Sequence, residues 1–383
     1  MAGIFLAALL VIAAALWWND TDTAIEVGPQ EQEAGVNETE FPLSVPDGFE
    51  LEVFARVAGA RVLARDGLGN FWVSQPSEGT VSTIEMREGQ EPAVHGVFRG
   101  LNNPHGLAIN PANGGTMLYI AEEHRVVRVP LYSDGGLEEI AQLPSGGGHF
   151  TRTLEFGPDG RLYVSIGSSC NVCEENDERR ATIYSMNSDG SDFRAHARGL
   201  RNAVFFDWSY VDGSMWATEM GRDNLGDDVP PDEINRIEEG KHYGWPYCYG
   251  NSVHDTQFDS SLNAENFCAG EAAPSAVNLQ AHSAPLGLAF VPEEGWPEEW
   301  WYDLIVAFHG SWNRSEPTGY KLVRVKLDAD GTYRGVEDFI TGWHSGTRVH
   351  GRPVDLLIYP GGELYITDDD AGLIYRLHRS GGV

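Results

Sequence analysis

Residues 151–166 read TRTLEFGPDGRLYVSI, and this stretch contains the pattern from which the fold is predicted. Apolar and aromatic residues recur in a short run on each side of the tetrapeptide GPDG. Short runs of this kind are typical of β-strands, and Gly, Pro and Asp together are typical of a tight turn. The stretch therefore predicts a strand, a turn and a second, antiparallel strand.

The same unit occurs six times along the chain, and a third apolar strand follows each copy. The first strands begin near residues 62, 106, 153, 204, 287 and 355, and the longest gaps between them hold loop insertions. Fainter outer strands follow several copies, and almost no helical pattern is present. This repeat predicts an all-β fold, a six-bladed β-propeller with four-stranded antiparallel blades. The isolated strand FELEVFA, which precedes the first copy, is expected to complete the last blade and close the ring.

A hydrophobic segment precedes the repeats. Residues 4–18 are uncharged and mostly aliphatic, so residues 1–18 are predicted to be a signal peptide or a signal anchor. Residues 19–41 contain seven acids and no base, which predicts a disordered acidic linker. The propeller is therefore assigned to residues 42–383. It is expected to be exported, periplasmic or extracellular, and anchored to a membrane through residues 4–18 if that segment is retained.

Charge and cysteine content limit the function classes. The chain has 26 Lys+Arg against 57 Asp+Glu, a formal net charge of −31. This charge argues against a nucleic acid partner and against anionic lipid, which both need basic surfaces. Cys170 and Cys173 form a C-x-x-C motif, and Cys248 and Cys268 bracket a long loop. Of the three possible connectivities, pairing within each local pair is expected and fits export, whereas a Zn site would need all four to converge.

Basic and imidazole side chains precede the innermost strands of the predicted blades. They stand at the equivalent position in all six repeats: Arg61, His105, His149, Arg201 with Asn202, His282 and Arg352. Because the innermost strands line the central channel, these residues are expected to surround one mouth of it. Loops at the same end add His309, Arg314 and a dense run of acids. A cationic centre beside an acidic strip predicts a site for a small polyanion and a hard cation, Ca²⁺ above all.

Long ordered motifs in this framework resemble one enzyme family. They are HFTRTLEFGPDGRLYVSIG, GLRNAVFFDW, MGRDNLGDDVPPDEINRI, HGSWNR and GRPVDLLIYPGGELYITDD. With them the chain resembles the pyrroloquinoline quinone (PQQ)-dependent sugar dehydrogenases, the soluble glucose dehydrogenase and L-sorbosone dehydrogenase group, over about residues 42–383. The variants GSSCNVC and LGDDVPPDE are more similar to the sorbosone dehydrogenase branch.

The resemblance implies a PQQ- and Ca²⁺-dependent oxidoreductase that oxidises a sugar, or a sugar-derived aldehyde or alcohol, and passes electrons to an external acceptor. His149 is then the general base. The residues expected to bind the cofactor are Arg61, Arg201, Asn202, His309, Arg314 and Arg352. The expected metal ligands are the backbone carbonyls of Gly221 and Arg222 and the carboxylate of Glu233.

One departure and two alternatives stay open. Ser168 stands where the glucose enzyme has an Asp that orients the base, so another group, such as an acid from residues 223–233, is expected to orient His149. A Ca²⁺-dependent lactonase-like hydrolase is the first alternative, although the ring rich in Arg and His counts against it. The second is a non-catalytic binding propeller. Trp245, Trp312 and Trp343 are candidates for stacking against a sugar ring.

Overall fold

The computed structural model describes residues 41–86 and 92–381, and within them the six predicted blades are present as four-stranded antiparallel sheets. The predicted N-terminal segment, residues 1–18, and residues 19–40 of the predicted linker lie outside the described residues. Within the part of the chain that is described, no helix is long and apolar enough to cross a membrane.

The first three blades follow the sequence repeat closely, after an initial strand β1 (Phe49–Arg56). The first blade contains β2 (Leu63–Arg65), β3 (Phe71–Gln75), β4 (Thr80–Glu85) and β5 (Ala93–Arg99). The second contains β6 (Leu107–Ile109), β7 (Met117–Glu122), β8 (Arg125–Pro130) and β9 (Glu138–Gln142). The third contains β10 (Leu154–Phe156), β11 (Leu162–Ile166), β12 (Thr182–Met186) and β13 (Arg194–Arg198).

The last three blades carry the insertions. The fourth blade begins with β14 (Phe206–Trp208), β15 (Met215–Glu219) and β16 (Asp232–Ile237). An insertion follows, with β17 (Cys248–Tyr249), β18 (Val253–His254) and α1 (Leu262–Gly270), before the outer strand β19 (Val277–Leu279). The fifth blade contains β20 (Pro285–Phe290), β21 (Leu304–Phe308), β22 (Lys321–Leu327) and β23 (Tyr333–Ile340). A hairpin of β24 (His344–Ser345) and β25 (Arg348–Val349) leads to the sixth blade, β26 (Pro353–Tyr359), β27 (Glu363–Asp368) and β28 (Leu373–Arg379).

Short 3₁₀ turns lie in three of the connections, at Pro76–Glu78, Pro111–Asn113 and Glu298–Trp300. The second strands of the blades, such as β3, β11, β15 and β21, are buried along their whole length. Each of these strands is covered on both faces because neighbouring blades pack against each other. This explains why their sequences are nearly continuous apolar runs.

The ring closes as the sequence predicts. Strand β1 pairs antiparallel with β28, which gives the last blade the order β1-β28-β27-β26. Leu51 lies opposite Leu377 in this pair, and both side chains are buried. The first described residue, Phe41, is also buried, and its ring stacks on His350 with the ring centroids 5.0 Å apart.

Leu51 gives a test of this closure. We expect Leu51→Ala to lower the free energy of unfolding by about 2–5 kcal/mol, because it leaves a cavity in the strand pair that joins the two ends of the chain. Leu68→Ala is the matched control, since Leu68 is 72% exposed in a turn, and its effect should stay within about 0.5 kcal/mol. Denaturant titration measures both. An equal effect of the two substitutions would contradict the closing role of β1.

Both cysteine pairs form disulfides. Cys170 is bonded to Cys173, and Cys248 is bonded to Cys268. The expected local pairing is confirmed, and the alternative of a Zn site is wrong, because the four thiolates that it requires are consumed in the disulfides.

Candidate functional site

His149 precedes β10 at the end of a glycine-rich loop and is half-buried. Its Nδ1 lies 3.0 Å from the backbone oxygen of Ser168 and 2.9 Å from Ser168 Oγ. A carbonyl oxygen only accepts hydrogen bonds, so Nδ1 carries the proton. The lone pair of the neutral ring therefore lies on Nε2, which is the tautomer that a general base needs.

Ser168 itself supplies the orienting group that the sequence leaves open. Its hydroxyl donates to the backbone oxygen of Cys170 at 2.7 Å, which leaves Oγ lone pairs for His149 Nδ1–H. Its backbone N–H donates to the Arg201 carbonyl at 2.7 Å. Two neutral oxygens of one residue thus take the place of the expected carboxylate.

The environment of His149 disfavours its charged form. Burial, and then the positive charge of Arg201, lower the pKa of His149 to about 4. Arg152 and Arg180 act in the same direction. His149 is therefore neutral near pH 7 and free to accept a proton.

Arg152 and Gly167 hold the histidine in place, and neither residue was predicted from the sequence. Arg152 is fully buried and donates to the backbone oxygens of His149 at 3.0 Å and Pro144 at 2.7 Å. A Cβ on Gly167 would lie 2.7 Å from both His149 Cβ and Asn202 Oδ1, so only glycine fits between them. An arginine directly before an inner strand, in the segment TRTLEF, was the available signal for a buried structural cation.

Arg201 and Asn202 lie beside His149 and are buried. Arg201 donates to the backbone oxygen and to Oδ1 of Asn171, each at 2.9 Å, and forms an ion pair with Asp223 at 3.1 Å. The backbone N–H of Asn202 donates to Glu219 Oε1 at 3.0 Å. The predicted Arg-Asn pair is therefore hydrogen-bonded to two residues, Asn171 and Glu219, that were not predicted from the sequence.

Asp369 connects two predicted cofactor residues from different blades. Arg61 forms an ion pair with it at 2.8 Å, and His309 Nε2 lies 2.9 Å from its other oxygen. Burial raises the pKa of Asp369, but the His309 hydrogen bond and the Arg61 charge outweigh it and lower the pKa to about 2. Asp369 therefore stays ionised and neutralises Arg61.

Arg352 is held without an acid. Its guanidinium donates to the backbone oxygens of His309 at 3.3 Å and Gly310 at 3.2 Å, and lies 4.9 Å above the Tyr320 ring. Its guanidinium has no carboxylate partner at ion-pair distance within residues 41–86 and 92–381. Of the four predicted cofactor arginines, it alone can receive an anion without breaking an ion pair.

Three other residues that were predicted at the channel mouth make the following contacts. Arg314 pairs with Asp228 at 2.8 Å on the acidic loop. His282 Nε2 lies 2.7 Å from the backbone oxygen of Gly226, and the ring is buried. His105 is fully buried, and its Nε2 accepts from Arg61 Nε at 3.3 Å, so its ring contacts the site through Arg61.

The predicted metal ligands line one small cavity of about 20 Å³, with room for one water-sized occupant. Gly221, Arg222 and Glu233 border it, together with Glu219. Glu219 Oε2 is buried and has no hydrogen-bond partner among the described residues. Burial and the neighbouring Glu233 charge hold the pKa of Glu219 well above its usual range. An unpartnered buried carboxylate oxygen beside a second acid fits a hard cation that takes oxygen ligands.

The side chain of Arg222 is not part of that ligand set. It forms a buried ion pair with Asp255, at 2.7 Å from its Nε to the carboxylate. The backbone N–H of Gly221 donates to Asp232 at 2.9 Å, which fixes the course of the chain at the cavity.

A cavity of about 340 Å³ is the central channel, and none of the predicted site residues lines it. It is lined by Glu155, Asp207 and Asp355 among apolar side chains. Burial raises the pKa of Asp207 and of Asp355 to about 6. Three acids therefore line the channel together with one arginine, Arg65, and the predicted basic site residues do not line it.

The three candidate tryptophans differ in exposure. Trp343 and Trp245 are buried, at 0% and 8% exposed, and cannot stack on a sugar. Trp312 is 75% exposed on the loop after β21. Its neighbour Asn313 donates to Asp223 at 2.8 Å, and Asp223 in turn binds Arg201. This contact places the Trp312 loop beside the site.

Comparison with known proteins agrees with the fold and the motifs. Residues 43–380 match the family described as TrAA12-like. A protein of Borreliella burgdorferi, itself uncharacterised, is 30% identical over 358 residues, which cover 88% of this chain and 90% of that protein. The holo form of the pyranose dehydrogenase PQQ domain from Coprinopsis cinerea is similar with a TM-score of 0.76 and 21% identity, covering 90% of this chain and 99% of that one. The calcium structure of a family AA12 enzyme from Trichoderma reesei is similar with a TM-score of 0.74 and 21% identity. The match covers 90% of this chain and 98% of that one.

The resemblance inferred from the sequence is confirmed at the level of the family, and the solved structures share the propeller fold. The chain belongs to the TrAA12-like family.

Proposed function

We propose that the protein oxidises a pyranose sugar or a closely related sugar alcohol or aldehyde, with PQQ and Ca²⁺ as cofactors and His149 as the general base. The proposal rests mainly on the contact of His149 Nδ1 with the backbone oxygen of Ser168 at 3.0 Å, which leaves Nε2 free to accept a proton, and on the nearby charge of Arg201. A base in this state can remove a hydroxyl proton while the neighbouring C–H bond loses a hydride.

The cationic residues fit a cofactor that is a tricarboxylate quinone. Arg352 would hold one carboxylate directly, through charge-assisted hydrogen bonds. Arg61 and Arg201 would contribute by exchanging Asp369 and Asp223 for cofactor oxygens. Asn202, His309 and Arg314 are proposed to complete the contacts. When bound, PQQ supplies the hydride acceptor, and the protein supplies position and charge.

The calcium site is proposed at the small cavity of the fourth blade. Glu219, Glu233 and the carbonyl oxygens of Gly221 and Arg222 would form the ligand set. Two carboxylates and two carbonyls are ligands that Ca²⁺ favours. The cation would also offset the repulsion between Glu219 and Glu233, which both lie in the core.

The proposal includes export and an external electron acceptor. Two disulfides in one chain support an oxidising compartment. The signal or anchor role of residues 1–18, the linker role of residues 19–41 and sorbosone-like specificity remain predictions.

Trp312 is the residue that we expect to stack on the substrate ring. Trp312→Ala should raise KM for a pyranose by about 5-fold to 10-fold with little change in kcat, since an aromatic stacking contact contributes about 1 kcal/mol. Trp312→Phe should retain most of the affinity. Tyr333→Ala is the control, because Tyr333 is an exposed aromatic residue on an outer strand of the same blade. An unchanged KM in Trp312→Ala would remove Trp312 from the substrate site.

Reconstitution tests the proposed function. Protein stripped with EDTA should reduce an artificial dye with an aldopyranose only after both PQQ and Ca²⁺ are added. Full activity without either cofactor would contradict the proposal. Ca²⁺-dependent hydrolysis of a sugar lactone without PQQ would favour the lactonase alternative, and sugar binding without turnover would favour the binding propeller.

A further inference from the structure

The loop C-N-V-C, residues 170–173, lies between β11 and β12 and is closed by the Cys170–Cys173 disulfide. It contacts both sides of the proposed site, although the proposed reaction assigns it no role. On one side, the backbone oxygen of Cys170 accepts the Ser168 hydroxyl at 2.7 Å. This bond orients Ser168 Oγ, which lies 2.9 Å from His149 Nδ1.

On the other side, Asn171 binds Arg201 and Asp223. Its backbone oxygen accepts from Arg201 Nε, and its Oδ1 accepts from Arg201 Nη2, each at 2.9 Å. The same Oδ1 accepts the Asp223 backbone N–H at 2.8 Å, and Nδ2 donates to the Asp223 backbone oxygen at 3.1 Å. One asparagine therefore provides four hydrogen bonds to the cation and to the acid that pairs with it.

The loop is also fixed to its surroundings. Glu175 accepts from the backbone N–H and the hydroxyl of Ser169, at 2.6 and 2.7 Å. Tyr247, next to the second disulfide, donates to Glu174 at 2.6 Å. With the disulfide, these contacts allow little movement of Asn171 relative to His149.

We propose that Asn171, held by the Cys170–Cys173 disulfide, is a positioning residue that sets Arg201 and His149 at a fixed distance from each other. The inference rests on the proposed function for its effect on catalysis. The placement of Arg201 beside the histidine is a property of the protein alone.

The Arg201 charge reaches His149 only while the guanidinium stays in place. The other charged groups that act on the ring are Arg152 and Arg180, and neither contacts the C-N-V-C loop through a hydrogen bond or ion pair in the described residues. Removal of the Asn171 side chain takes away the Oδ1 contact of Arg201 Nη2, whereas the contacts to the backbone oxygens and to Asp223 remain. The guanidinium should then shift away from its fixed position, and the pKa of His149 should rise toward its ordinary value.

Two measurements on Asn171→Ala test the proposal. Histidine NMR titration of the cofactor-free protein should show a higher pKa for His149 than in the wild type. The reconstituted variant should lose about 10-fold to 100-fold in kcat, as is usual when a group that orients a reacting residue is removed. Asn171→Asp keeps the acceptor oxygen for Arg201 but places a second oxygen against the Asp223 backbone oxygen, so it should recover only part of the lost kcat.

The control is Asn176→Ala, an exposed asparagine in the same connection, which should change neither quantity. If Asn171→Ala fails to fold, the double variant Cys170→Ser, Cys173→Ser tests the same clamp and should shift the His149 pKa in the same direction. An unchanged pKa and kcat in Asn171→Ala would overturn the proposal. A wild type without PQQ-dependent activity would refute the proposed function, while the NMR titration would still decide the role of Asn171.

Discussion

His149→Ala should lower turnover by about 10²-fold to 10⁴-fold, the usual contribution of a positioned general base. PQQ affinity should remain near the wild-type value, because the ring binds Ser168 and leaves the arginines untouched. Stopped-flow dye reduction at saturating PQQ measures the first quantity, and fluorescence titration measures the second. Turnover near the wild-type rate would assign the base to another residue.

The pH profile gives a second readout of the same histidine. Since its pKa is lowered to about 4, the ring stays neutral above that pH and becomes protonated only below it. The acidic limb of kcat/KM is therefore expected near pH 4, well below the ordinary histidine value of about 6.5. A limb at the ordinary value would show that neither burial nor Arg201 acts on the catalytic base.

Arg352→Ala should weaken PQQ binding and leave the turnover of the PQQ-loaded protein nearly unchanged. Loss of a charge-assisted hydrogen bond of about 1.5–3 kcal/mol corresponds to roughly 10-fold to 100-fold weaker PQQ binding. Excess PQQ should then restore most of the turnover, which it cannot do for His149→Ala. Arg352→Lys keeps the charge and should show a smaller loss of affinity.

Arg352 is a better residue than Arg201 for testing cofactor binding. Arg201→Ala would leave the Asp223 carboxylate without its cation, so it would disturb the protein before any ligand binds. In the part of the chain that the structure describes, Arg352 has no such acid partner, so its removal reports on the ligand more directly. An unchanged PQQ affinity in Arg352→Ala would contradict its assignment to the cofactor.

The propeller could be predicted because its determinants are local and repeated. Each blade needs short apolar strands and a tight turn, and TRTLEFGPDGRLYVSI contains a complete example. The closing strand β1 was predictable for the same reason, since it lacked a neighbour in sequence. The helix α1 was not predicted, because it lies in a single insertion and carries only two buried residues, Ala264 and Cys268.

The site was predictable in its residue types but not in its pairings. The position of His149 follows from the repeat, whereas its orientation depends on the backbone oxygen of Ser168, which no side-chain pattern encodes. Glu219 is the last residue of an apolar strand, and the sequence alone gives it no other role. In the structure, its buried oxygen belongs to a residue that lines the proposed metal cavity. Asp369 and Asp223 neutralise Arg61 and Arg201, and these ion pairs could not be predicted because the partners are far apart in the sequence.

Anaerobic single-turnover absorbance spectroscopy decides whether this propeller oxidises a sugar through bound PQQ. The protein with Ca²⁺ is expected to bind one equivalent of PQQ, and a pyranose is expected to reduce the bound cofactor within one turnover. His149→Ala should bind the same amount and reduce it far more slowly. A PQQ spectrum that no sugar changes in the Ca²⁺-loaded wild type, or the absence of stoichiometric PQQ binding, would show that the proposed function is wrong.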